Sequence, residues 1–308
     1  MNFLAGIPSP SSGSLDLGPL KLNAYGAMIA LGVMAAVWLA GRRMEKRGIG
    51  TRDDMSSIAM VAVPVGVVGA RLYHVVTDWQ RFENNLGGIV QVWKGGLGIW
   101  GGIALGTLAG VWFAKRKGIS IGLLLTCVAP ALPLAQAIGR WGNWFNQELF
   151  GRPTTLPWAL EVSASTAKAA GYAAGTTFHP TFFYESLACG ALCFALIVLD
   201  KKVPMRPGRL FCFYTAGYTL FRFFIEGIRI DEAHHVGGLR LNQWVSLVVF
   251  GVSVSLIIAM RGVVEQEDDT PALRLRKVCK CQLKGRLIRC HAEVILHAAS
   301  IYFTLYCI

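Results

Sequence analysis

Charge is scarce in this sequence. Asp, Glu, Lys and Arg make up 16% of its 308 residues and hydrophobic residues 54%, whereas soluble domains carry about a quarter charged residues. That shortage excludes an ordinary water-soluble globule. Acidic residues are scarcer still: 18 Asp+Glu against 30 Lys+Arg give a formal net charge of +12. A basic excess suits a nucleic-acid binder when it forms a face on a soluble fold. Here the basic residues come in short clusters between apolar runs, a pattern of membrane topology, and no nucleic-acid partner is expected. No basic stretch precedes the first apolar run. The lead-in "SPSSGSLDLG" is polar and rich in Gly and Ser, so no cleavable signal peptide is expected. Familiar zinc spacings are missing too: Cys279, Cys281, Cys290 and His291 fit no common pattern. Neither a metal nor a cofactor is expected.

What the chain has in abundance is apolar runs of near-spanning length. Seven are found, at about Leu22–Ala40, Met55–Val76, Gly96–Ala114, Ile119–Ile138, Phe182–Leu199, Leu210–Phe224 and Gln243–Met260. The sixth is short and is extended through Ile228. Basic clusters follow every odd-numbered run: "GRRMEKRGIGTR", "AKRKG", "DKKVPMRPGR" and a basic tail. By the positive-inside rule those exits are cytoplasmic, which puts the N-terminus outside and the C-terminus inside. The expected fold is an all-α polytopic membrane protein. It has seven transmembrane helices and a small extracytoplasmic head between helices 4 and 5.

Orienting the runs gathers their polar residues at the outer face. Tyr25, Arg71, Tyr73, His74, Trp100, Arg140, Asn143, His179, Tyr184, Glu185, Arg222, Glu226, Arg229 and Gln243 all fall there. An arginine in hydrocarbon costs about 2.5–3.5 kcal/mol on insertion scales, so several together call for internal partners or an anionic ligand. Two plainer alternatives stand beside this. Arg222 and Glu226, at i,i+4, form a helix-face ion pair, or Arg71 snorkels to headgroups. Glycines crowd the start of run three (Gly95, Gly96, Gly98, Gly101, Gly102, Gly106), allowing close approach of another helix or of a ligand. Pro130 and Pro133 are expected to kink run four. The long connection after run four, soluble in composition, holds a strand-like alternation at "WALEV".

The stretch "GRWGNWFNQELFG" (residues 139–151) closely resembles the signature of the prolipoprotein diacylglyceryl transferases. So, in order, do "YGAMIALG" at Tyr25, "GARLYHV" around Arg71, "HPTFFYES" from His179, "RFFIEGIR" from Arg222 and "GGLRLNQWVSL" before run seven. The resemblance covers roughly residues 15 to 262. It implies a bacterial plasma-membrane enzyme with seven helices and an outer head. Such an enzyme moves the diacylglyceryl group of phosphatidylglycerol to the lipobox cysteine of a preprolipoprotein signal peptide. Its partners are phosphatidylglycerol, that peptide and the surrounding membrane lipids. Its active site faces the outer leaflet.

Carried onto this chain, the resemblance makes Arg140 the phosphate clamp and Arg222 the second essential arginine, near the scissile bond. Guanidinium groups in a dry site are suited to the charge that grows on a leaving phosphate. Asn143 and Glu148 are expected to orient the headgroup glycerol, and Glu226 and Arg229 to form a supporting polar network. Tyr25 is expected to hydrogen-bond the lipid, and Gly151 to permit a tight turn into the head. Where many family members carry a histidine, a candidate base for the thiol, this chain has Trp100. His74 and His179 remain open as either bases or structural groups.

The domain expectation is a membrane domain over 1–262, its head at about 144–180, and a cytoplasmic tail over 263–308. The tail from Cys279 has no family resemblance. The competing classes are a membrane transporter, which would place ionisable residues near the midplane, and a non-catalytic lipid-binding scaffold.

Overall fold

The structure, a computed structural model, describes residues 6–17, 20–83, 85–91, 96, 98–231, 233 and 235–261. The expected tail with Cys279, Cys281, Cys290 and His291, and Gly95 of the glycine block, lie outside the described residues.

Helices dominate. They are α1 (Ala24–Lys46), α2 (Arg52–Thr77), α3 (Ile99–Arg116), α4 (Ile121–Val128), α5 (Ala131–Asn146), α6 (Ala164–Ala169), α7 (Thr181–Lys202), α8 (Arg209–Ile228) and α9 (Leu241–Ala259). Among the described residues, α1, α2, α7 and α9 are long and apolar enough to cross a membrane. The broken pair α4–α5 brings the number to five if it counts as one span. Their surfaces agree with a lipid surround, because Met60, Val68, Leu108, Leu187, Phe194, Phe224 and Val248 all point outward, exposed. Apolar exposure on this scale is foreign to soluble monomers. The chain is a multi-pass, mostly helical membrane protein.

One difference from the expected all-α fold is the presence of short strands. β1 (Ile7–Pro8) pairs in parallel with β4 (Leu160–Glu161), which pairs antiparallel with β5 (Thr177–Phe178). β2 (Ser14–Leu17) and β3 (Leu20–Asn23) form one hairpin, and β6 (His235–Val236) and β7 (Leu239–Arg240) another. The lead-in that reads as a polar leader therefore contains paired strands. Two or four residues carry too little periodicity to register as a strand; the pairing supplies what the local pattern lacks.

By contacts the chain divides into two compact units. The first comprises Met1–Ala40, Val128–Lys201 and Tyr214–Gly251; the second comprises Gly41–Cys127, Lys202–Phe213 and Val252–Ile308.

In the first unit, α1 and α5 approach closely. A methyl on Gly32 would stand 2.8 Å from the Ala135 carbonyl oxygen, and one on Gly142 would stand 2.7 Å from the Tyr25 ring. Around the three-stranded sheet, Phe150, Leu160, Ala167, Phe178 and Phe182 form a small core, with Ile7, Trp144 and Tyr172 packed against it. α6 starts at Ser163, whose hydroxyl accepts from the Thr166 amide.

In the second unit, α2 opens on a reciprocal capping box between Thr51 and Asp54. Its Gly66 and Gly69 face Gly101, Gly102 and Gly106 of α3, backbone against backbone. Of the two readings of the glycine block, close helix approach is the one observed. Arg43 donates to the carbonyls of Thr126 and Cys127, both at 3.1 Å, covering acceptors at the C-terminal end of α4. The break lies at Ala129–Pro130, where the proline cannot continue the helical ladder. In the chain as a whole, Cys127, Cys189, Cys193 and Cys212 are buried and in no disulfide, and they fill space.

Candidate active site

The apolar run that ends at Ile138 does not end the helix. α5 continues through Asn146, so Arg140 and Asn143 are helical residues rather than the start of a loop. Polar side chains are compatible with helix when their partners lie on neighbouring elements, and here they do. From α7, one turn past its N-terminus, Glu185 points at the same place. α8 contributes Arg222 and Glu226, four residues apart on one face, and Arg229 follows Glu226 by three. The β6–β7 hairpin carries Arg240 to the group. All these residues belong to the first unit.

They form one continuous ionic network. Glu185 bridges two guanidinium groups, taking Arg140 Nε on Oε2 and Arg222 Nη1 on Oε1, the latter at 2.7 Å. Arg222 Nη2 reaches Glu226 Oε2 at 2.8 Å. Glu226 also faces Arg240 Nε at 3.2 Å and Arg229 Nη1 at 3.7 Å, and its Oε1 accepts from the Asn242 amide at 3.2 Å. Asp231 closes the far end. It receives Arg229 in two-pronged fashion, Nε at 2.7 Å and Nη2 at 2.9 Å, and Arg240 Nη2 at 3.0 Å. Burial disfavours the Asp231 carboxylate, but the hydrogen bond and charge of Arg229, with Arg240, outweigh it and hold its pKa below the ordinary value.

Among the described residues, four guanidinium groups share three carboxylates. Arg140 is its most accessible arginine, with 13% of its side chain exposed against 1% for Arg222. Arg140 Nη2 also lies 3.4 Å from the Tyr218 hydroxyl.

Other residues singled out from the sequence sit nearby. Asn143 donates to Glu148 Oε1 at 2.8 Å, a bond that Asn146 supports at 3.4 Å, so two expected headgroup ligands hold each other. Tyr25 packs beside Gly142 on the helix that carries Arg140. Gly151, expected to permit a tight turn into the head, follows two left-handed residues. The left-handed residues of this turn are Gln147 (φ 52°) and Leu149 (φ 60°), and Gly151 is not among them. Instead its backbone threads a crowded gap. Its N–H donates to the His179 carbonyl at 3.0 Å, it bridges to Arg229, and a methyl there would lie 2.8 Å from both His179 Cβ and Ile228 Cγ2. Glycine is needed for close approach, not for φ. Thr181 Oγ1 bonds the Leu149 carbonyl and ties the segment to α7.

The remaining residues expected at the outer face have other partners. Arg71 donates to the carbonyls of Gly88, Ile89 and Gly96 at 2.6, 2.8 and 2.7 Å. It therefore organises its own loop rather than snorkelling. His74 Nδ1 meets Asp78 Oδ2 at 2.8 Å. Trp100 lies 6.4 Å, centroid to centroid, from the Tyr73 ring. His179 Nδ1 is 3.2 Å from the Tyr184 hydroxyl. Its pKa is lowered, by burial first and then by the charge of Arg152.

Three members of the network were not among the site residues drawn from the sequence: Glu185, Asp231 and Arg240. Glu185 had a signal, as the one acidic residue in an otherwise apolar stretch from Thr181 to Leu199. Arg240 had its position against the start of run seven. Asp231 had none, since a carboxylate in a polar connection looks like any solvated charge.

A sequence model of the family described as prolipoprotein diacylglyceryl transferase matches residues 13–259. Similar proteins named phosphatidylglycerol–prolipoprotein diacylglyceryl transferase occur in several bacteria. That of Streptomyces griseus is 48% identical over 259 residues, covering 83% of this chain and 78% of its own. That of Cutibacterium acnes is 45% identical over 277 residues, covering 88% and 93%. That of Corynebacterium diphtheriae is 43% identical over 273 residues, covering 85% and 96%. With the buried arginine–carboxylate network in place along the matched segment, the chain belongs to the prolipoprotein diacylglyceryl transferase family.

Proposed function

We propose that this protein is the transferase that moves the diacylglyceryl group of phosphatidylglycerol onto the lipobox cysteine of preprolipoproteins, the first step of lipoprotein maturation. The observation that carries the reading is the network around Glu185, which gathers four arginines, with Arg140 at its accessible end. In the reaction the cysteine sulfur forms a bond to the glyceryl carbon. The C–O bond to phosphate breaks, the electron pair leaves on the phosphate oxygen, and glycerol phosphate departs. The thiol proton passes to a base that we leave unassigned.

Arg140 is the direct phosphate clamp in this proposal. Arg222 contributes from behind, since both its Nη atoms face carboxylates. It holds Glu185, and through it Arg140, in position. Asn143 and Glu148, already joined, present a polar edge to the headgroup glycerol. Tyr25, fixed against Gly142, lies beside the lipid, and Glu226 and Arg229 support the arginines.

The finer topology is part of the same proposal. It has seven spans, formed by α1, α2, α3, the α4–α5 pair, α7, α8 and α9, with α6 and the three-stranded sheet in an outer head. Support comes from basic residues in the last turns of α1 and α3 and after α7, by the positive-inside rule. The N-terminus is then outside, the tail over 263–308 cytoplasmic, and the site toward the outer leaflet. The catalytic domain spans 1–262.

The test is transfer by the purified chain from labelled phosphatidylglycerol to a lipobox peptide. Label on the peptide cysteine, absent when that residue is serine, is the expected result. No label while a family member works alongside would sink the reading and leave a scaffold or a transporter.

A further inference from the structure

A basic cavity, sharing no residue with the arginine–carboxylate network, is built where α2 ends. It encloses about 250 Å³ and is lined by Arg71, His74, Arg81, Phe82, Asn85 and Gln91 with glycine backbone between them. Its volume is below the roughly 300–1,000 Å³ of clefts for drug-sized ligands, so it fits a headgroup rather than a whole lipid. Arg71 is buried, its guanidinium aimed by three loop carbonyls and set over the Phe82 ring at 5.3 Å. Arg81 is exposed and makes no ion pair with a described residue. Asn85 accepts the Gly88 N–H on Oδ1 at 3.2 Å, and its amide nitrogen carries two further donors.

The surroundings say what kind of anion this is. Val76, Trp79, Leu86 and Val90, from the end of α2 and the two following 3-10 turns, all expose their apolar side chains. A soluble anion has no use for such a rim. A phospholipid does, because its chains meet apolar residues while its phosphate meets arginine and amide donors at the same depth. α2 is itself apolar enough to span a membrane and stops at Thr77, so the pocket stands where hydrocarbon gives way to headgroups. We propose that this pocket binds the phosphate headgroup of an anionic phospholipid, as a site distinct from the Arg140 network. The inference rests on the membrane reading and not on the transfer chemistry.

The test uses the full-length chain in detergent with Arg140→Gln, which weakens the proposed transfer site. Phosphatidylglycerol and phosphatidylcholine are titrated separately and bound lipid is counted by native mass spectrometry. Adding Arg81→Gln is expected to weaken phosphatidylglycerol about tenfold, the scale of one hydrogen bond to a charged group, and to leave phosphatidylcholine unchanged. Arg81→Lys should keep much of the affinity. An unchanged phosphatidylglycerol affinity, an equal fall for both lipids, or displacement by soluble glycerol phosphate at matched concentration each overturns the proposal. Because Arg81 is exposed, its replacement leaves folding intact, and lipid transfer is a separate measurement that can fail independently.

Discussion

At the scale of single residues, charge geometry decides the chemistry. Arg140 presents a flat fork to which a phosphate can bind by two parallel hydrogen bonds, whereas lysine offers one point charge. Arg140→Lys is therefore expected to lower transfer about a hundredfold or more, the range seen when a donor to a developing anion is lost. Near-normal turnover would remove Arg140 from the clamp. Arg222 and Glu226 make a sharper experiment because they touch at 2.8 Å. Removing one partner of a buried pair costs about 3–5 kcal/mol, so Arg222→Gln and Glu226→Gln should each lower the thermal midpoint. The double variant should be milder than their sum. Transfer is expected to stay lost in the double variant while phosphatidylglycerol still binds, because without Arg222 nothing holds Glu185, and through it Arg140, in place as charge develops on phosphate. Recovered transfer would make Arg222 purely structural. His179 supplies the pH experiment. Burial and the Arg152 charge lower its pKa in the folded chain, so the native state takes up a proton less readily than the unfolded chain. Stability is then fully present above the unfolded value of about 6.5 and falls as the pH drops below it. His179→Gln should flatten the acid side of a melting-temperature profile between about pH 5 and 8; an unaltered profile would refute that assignment.

At the scale of elements, the α2–α3 contact shows what glycine does in this protein. Without water to drive association, membrane helices hold together by close packing of small residues. A methyl on Gly101 would lie 2.7 Å from Tyr73 Cβ, and one on Gly69 2.8 Å from Leu105 Cβ. Gly101→Ala must push the helices apart and is expected to destabilise by about 1–3 kcal/mol, as overpacking does. A thermal or denaturant midpoint in detergent reads this directly, and an unshifted midpoint would show that the pair can relax around a methyl. The crowding at Gly151 works likewise, although there the neighbours are His179, Thr181 and Ile228 rather than a facing helix. In both places the residue type was visible in the sequence while its reason was not. Local pattern cannot separate a glycine that turns from one that lets another chain segment pass.

At the scale of the whole molecule, the family match ends at residue 259, just before the charged stretch "VVEQEDDTPALRLRKV". Deleting residues 265–308 is therefore expected to leave membrane insertion and lipid transfer unchanged. Loss of transfer by a well-inserted truncated chain would show that the catalytic unit extends further. The apolar runs, their basic flanks and the ordered motifs were legible along the chain because each depends on neighbours in sequence: hydropathy over about twenty residues, charge at run ends, polar residues at fixed spacing. Arg140, Arg222, Glu226 and Arg229 could be named for that reason. The carboxylate that joins them could be placed with the other outward polar residues, but not matched to any arginine. Glu185 lies 45 residues from Arg140 and 37 from Arg222, and only the packing of α5, α7 and α8 brings the three side chains together. Arg240 and Asp231 enter the same network through a hairpin too short to announce itself. Arg71 looked like one more outward arginine until the loop after α2 folded over it and took three of its hydrogen bonds. Hydropathy and charge spacing along the chain establish that it enters a membrane, because burial of charge in hydrocarbon is penalised wherever the chain folds. Which arginine stays accessible and which is locked between two carboxylates was decided by tertiary structure alone, since ion pairing depends on distances of about 3 Å between residues that the sequence holds far apart.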